Sequence, residues 1–109
     1  MASYFLCPYL GGDIELTQER EIHIAGQHPD LFPEFRGQIE ETLAVPDRIV
    51  RSARVGNAYL FSRWYNGVRG GKYVVVVVLT ESGASPRRWI VTAYLARKLA
   101  GGEIVWARS

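Results

Sequence analysis

The chain has two histidines, His23 and His28, five residues apart in the stretch REIHIAGQHPDL. A shared metal needs converging ligands, and helical zinc sites space their histidines four apart. Five residues turn a helix by about 500°, which would leave the two rings roughly 140° apart on a continuous helix. Gly26 and Pro29 interrupt that helix and let His28 fold back toward the end that carries His23. No carboxylate completes a zinc spacing, and the single cysteine, Cys7, excludes a disulfide framework or a cysteine-based zinc site. Neither a metal nor any other cofactor is expected. Acid–base chemistry asks for less. Attack of a ribose 2′-hydroxyl on its neighbouring phosphate needs a base, an acid for the departing 5′-oxygen, and cations for the developing charge. Histidine near neutral pH fills either proton role. The alternative for His23 is a structural place between Ile22 and Ile24, bonded to Glu19 one turn earlier.

The cations for such chemistry are unevenly distributed. Residues 1–47 hold nine acids against Arg20 and Arg36, a net charge of −7, whereas residues 48–109 hold eleven bases against Glu81 and Glu103, a net of +9. This asymmetry points to an anionic partner, nucleic acid first, or to two halves that neutralise one another on packing. The longest apolar run, YVVVVVL at 73–79, falls far short of the roughly 20 residues that span a bilayer, and no signal-peptide pattern is present. A cytoplasmic location without a membrane partner is expected.

The elements that must position these residues follow from periodicity. Residues 13–16 alternate as a short strand, and Thr17 precedes a helix with Glu19 in its first turn and Gly26 as its stop. Leu31, Phe35, Ile39 and Leu43 (or Thr42) recur at steps of four up to Pro46, marking a second amphipathic helix with Pro33 in its first turn. After Pro46 the period changes to two. RIVRSAR, AYLFSRWYN, KYVVVVVL and RRWIVTAYL read as consecutive antiparallel strands separated by glycine-rich turns, and EIVWA as a last edge strand. ARKLAGG reads as one helical turn. The unbroken valine run marks a central strand covered on both faces. The expected fold is α+β, with two N-terminal helices packed on one face of a four- to five-stranded antiparallel sheet. Residues 1–12 are expected as a lead-in and residues 13–109 as one domain.

Strand alternation sorts the polar groups. Tyr59, Phe61, Arg63 and Tyr65 share a face, and Trp89, Val91, Ala93 and Leu95 form an apolar set assigned to the core, which leaves Arg88, Ile90, Thr92 and Tyr94 opposite. If Arg63 and Tyr65 join Thr92 and Tyr94, the open face presents guanidinium, phenol and hydroxyl groups suited to a phosphodiester. A solvated sheet face carries the same residues for cross-strand pairing alone.

The ordered set IELTQEREIHIAGQHPD, IEETLAVPDRIVRS, GKYVVVVVL, IVTAYL and GGEIVW resembles the phage- and mobile-element-associated nucleases of the barnase, EndoU, colicin and RelE-like superfamily. The resemblance runs from Ile14 to Trp106; Glu21, Gln27 and Asp30 depart from the family's usual aromatic, basic and glutamate residues. It implies metal-independent RNA cleavage through a 2′,3′-cyclic phosphate, by a protein that in this group can be a toxin held by an antitoxin or inhibitor protein. The residue types it implies fall on His23, His28, Arg63, Thr92 and Tyr94 for catalysis, and on Arg20, Arg51, Tyr65 and Lys72 for substrate binding. A non-catalytic RNA-binding or protein-interaction domain on the same fold is the alternative.

Overall fold

The computed structural model describes residues 2–108; Met1 and Ser109, the outer ends of the expected lead-in and domain, lie outside it. The chain order is β1 (Ser3–Cys7), β2 (Gly12–Leu16), α1 (Gln18–Gln27), α2 (Arg36–Ala44), β3 (Arg48–Arg51), β4 (Ala58–Tyr65), β5 (Lys72–Glu81), β6 (Arg87–Ala96) and β7 (Glu103–Ala107). All seven strands form one sheet in the order β1-β2-β6-β5-β4-β3-β7.

This corrects the expected four- to five-stranded antiparallel sheet with leading helices. The sheet is mixed, because β2 runs parallel to β6 through Glu15 and Trp89. The helices do not lead the fold; they lie between β2 and β3, after an N-terminal hairpin. Residues 3–7, expected in a lead-in, form β1, with Phe5 and Cys7 buried and Tyr4 and Leu6 exposed. All four are apolar or aromatic, so alternation of burial leaves no alternation of polarity to read. Gly11, at φ 76°, closes the hairpin by donating its N–H to the Cys7 and Pro8 carbonyls.

Thr17 caps α1, its hydroxyl accepting from the Arg20 N–H at 3.2 Å. The helix continues past Gly26 to Gln27, and His28 is its C-cap, donating its N–H to Ile24 O at 2.7 Å. α2 begins at Arg36 rather than near Pro33, because residues 29–35 form separate turns through bonds such as Phe35 N–H to Leu31 O. Residues 97–102 bend at Arg97, Lys98 and Gly102 without forming the expected helical turn, and carry the chain across the sheet from β6 to β7, which pairs with β3.

The core lies between α1, α2, the β1–β2 hairpin and one face of β3–β6. It contains Phe5, Ile14, Leu16, Ile24, Ile39, Leu43, Ile49, Phe61 and Val76. Tyr9 at the hairpin turn reaches across to Phe61, with ring centroids 6.3 Å apart. β5 is the central strand, and Val74, Val75, Val76 and Val78 are buried on its two faces. Cys7 lies in this core, where burial pushes its thiol pKa up.

Candidate functional site

β2 leaves the sheet after pairing with the start of β6, and α1 runs on beside β6 in its place. The seam between α1 and β6 gathers the most chemistry. A β-bulge interrupts the β5–β6 register, with Val77 paired to Thr92 and Val78 to Ile90, so Val91 is the extra residue. Its carbonyl accepts from Arg20 Nη1 at 3.3 Å. Three residues further on, Tyr94 meets His28, with ring centroids 6.0 Å apart and planes tilted by 41°. Helical spacing places His23 about 60° around α1 from Arg20, on the side away from buried Ile24. Thr92, between these contacts, has a hydroxyl oxygen buried without a hydrogen-bond partner. Burial also pushes the Tyr94 phenol pKa up, which keeps it a proton-bearing donor.

Arg20, His28, Thr92 and Tyr94 therefore line one seam, with His23 on the neighbouring side of α1, while the other expected site residues are elsewhere. Arg63 and Tyr65 sit on the helix-covered face, not beside Thr92 and Tyr94. Arg63 donates to Val45 O at the C-terminus of α2 at 2.8 Å and lies 3.6 Å from Glu41 and 3.9 Å from Asp47. A helix C-terminus with two carboxylates is a stable seat for a cation, so this arginine fastens α2 to the sheet. Arg51 pairs with Glu103 at 3.1 Å on the far side of the sheet. Lys72 donates to Arg69 O at 2.7 Å.

Tyr65 donates to Glu41 Oε1 at 2.7 Å, and burial together with this bond pushes its pKa up to about 12. The folded chain thus holds the phenolic proton more tightly than the unfolded chain, whose tyrosines titrate at about 10. The resulting stabilisation is complete below that pH and is lost as pH rises from there toward about 12. Tyr65→Phe is expected to flatten the alkaline fall in stability, measured by urea unfolding across that range.

Strand alternation missed several residues. The bulge shifts the phase of β6, so Ile90 is buried in the core and Trp89 turns to the open face with Arg87, which bonds Glu15 at 3.1 Å. Arg87 lies 4.3 Å from the centroid of the Trp89 ring. Trp64 and Tyr73 pack edge to face on the same surface at 5.0 Å. Gly71, at φ 101°, lies under Trp64, where an added Cβ would approach Cζ2 to 2.9 Å. No periodicity announces a bulge; the sequence signal was only the density of tryptophan and arginine in RRW and SRW.

The charge asymmetry is partly neutralised within the fold. Arg63, Arg69, Arg87 and Arg108 of the basic half pair with Glu41, Glu34, Glu15 and Asp47 of the acidic half. Among the described residues no cluster of three metal-ligating side chains occurs, and no helix is long and apolar enough to cross a membrane. Comparison with family models, curated proteins and solved structures found no match to this chain.

Proposed function

We propose that the protein is a metal-independent ribonuclease that cleaves RNA by 2′-hydroxyl transesterification at the α1–β6 seam. The observation that carries this reading is the approach of His28 to Tyr94 beside the unpartnered hydroxyl of Thr92. His23 and His28 supply the base for the 2′-hydroxyl and the acid for the departing 5′-oxygen. Arg20 spends Nη1 on Val91 O and reaches Glu19 from Nη2 only at 3.5 Å, which leaves further N–H groups for a non-bridging phosphate oxygen. Thr92 donates to the same phosphate once the RNA displaces the side chains that cover its hydroxyl oxygen, and Tyr94 supports the leaving group or stacks on a base. Arg51, Arg63, Tyr65 and Lys72 have no part in this scheme, because each is held away from the seam. A cytoplasmic site of action, with an antitoxin-like inhibitor as a further partner, completes the proposal.

The test is incubation with single-stranded RNA in excess chelator, followed by analysis of the new ends. Cyclic-phosphate termini are expected; intact RNA overturns the reading. Thr92→Val separates catalysis from folding. An unpartnered buried hydroxyl is destabilising by roughly 1–3 kcal/mol, so its isosteric removal is expected to leave stability unchanged or raised. Loss of a phosphate donor is expected to slow cleavage by about 10²-fold. Thermal unfolding and initial rates on the same preparation check both arms, and full activity would remove Thr92 from the site.

A further inference from the structure

A second feature adjoins the seam. A groove of about 440 Å³ opens at the start of α1, lined by Thr17, Arg20, Leu79, Arg87, Trp89 and Val91. It shares Arg20 and Val91 with the seam, so whatever occupies it is next to the phosphate position assigned above. Arg87 is already answered, since Glu15 takes it at 3.1 Å, and Arg20 is turned toward the seam by its bond to Val91 O. A groove whose own guanidinium is paired, beside an aromatic ring, suits a flat, uncharged group better than another phosphate. Arg87 lies over the Trp89 indole, 4.3 Å from guanidinium carbon to ring centroid, so a base stacking on that face takes the guanidinium's place.

We propose that this groove is a nucleobase subsite, in which an unpaired base of single-stranded RNA stacks on Trp89 beside the nucleotide whose phosphate lies in the seam. The assignment rests on the ribonuclease reading for its position but not for its existence. The bulge at Val91 is what makes it: without the extra residue Trp89 would face the core and Ile90 the groove. Leu79 and Val91 give the base apolar contact, and Thr17 and Glu19 offer acceptors for its N–H edge.

The test uses the intact chain and a strand that cannot be cleaved, an oligonucleotide of 2′-O-methyl RNA, with affinity read by fluorescence anisotropy. Trp89→Leu is expected to weaken binding roughly 5- to 100-fold, the range for losing one base–aromatic stack, whereas Trp89→Phe retains most of it. Thermal unfolding of both variants checks that the fold persists. Equal affinity for the parent and Trp89→Leu chains overturns the proposal, as does failure of the parent chain to bind the strand. Tighter binding of a deoxy strand of the same sequence overturns RNA as the source of the base. If binding depends on Trp89 while cleavable RNA stays intact in chelator, the subsite stands and the ribonuclease reading falls.

Discussion

His28→Ala is expected to slow formation of the cyclic phosphate by about 10²- to 10⁴-fold, the contribution of one positioned proton-transfer group. Stability should change little. His28 caps α1 through its backbone N–H, which alanine also supplies, and its partly buried ring lies against Tyr94. His23→Ala is expected to lose a similar factor. The double variant should lose far less than the product of the two, because an acid and a base acting in one step form a unit. Initial rates on a short RNA, with circular dichroism as a folding control, decide the matter. A bell-shaped pH dependence in the parent chain that loses one limb in each single variant would separate the acid from the base. Full activity in both single variants would move the chemistry away from α1.

Phe61→Ala is expected to destabilise the fold by about 3–5 kcal/mol, the usual effect of truncating a buried phenylalanine. Phe61 is fully buried at the centre of β4, opposite Ile49 on one side and Val76 on the other, with Tyr9 of the hairpin on its ring. Its loss opens a cavity where the sheet, α2 and the hairpin meet. Domains of this size are stable by about 5–15 kcal/mol in total, so the midpoint of thermal unfolding should fall by roughly 12–20 °C. Val55→Ser, in an exposed turn, serves as the control and should shift stability by less than about 0.5 kcal/mol. The pair also tests the β4 register, since a one-residue slip would exchange Phe61 for Leu60 on the core face. An unchanged Phe61→Ala midpoint would exclude the observed register.

The same residues show what could be read locally. The N-cap at Thr17 was legible because its partner, the Arg20 N–H, is three residues away. The valine strand was legible because burial on both faces leaves no polar residue between Val74 and Leu79. β1 was hidden because Tyr4 and Leu6 remain apolar on its exposed side. The parallel pairing of Glu15 with Trp89 was hidden because it joins residues far apart in the chain, beyond any periodic window.

For the candidate site, the residue types were in the sequence and their grouping was not. Two histidines, a hydroxyl, a phenol and an abundance of arginine define the available chemistry, since protonation and hydrogen-bonding capacity belong to side chains whatever the fold. Which arginines are free to use it is a tertiary matter. Arg63 is engaged by Glu41, Asp47 and the end of α2, while Arg20 is held at the seam by a carbonyl that the Val91 bulge supplies. That bulge also decides that Trp89 and not Ile90 faces outward. One extra residue in a strand inverts every side chain beyond it, and strand pairing, not local sequence, determines where it is accommodated.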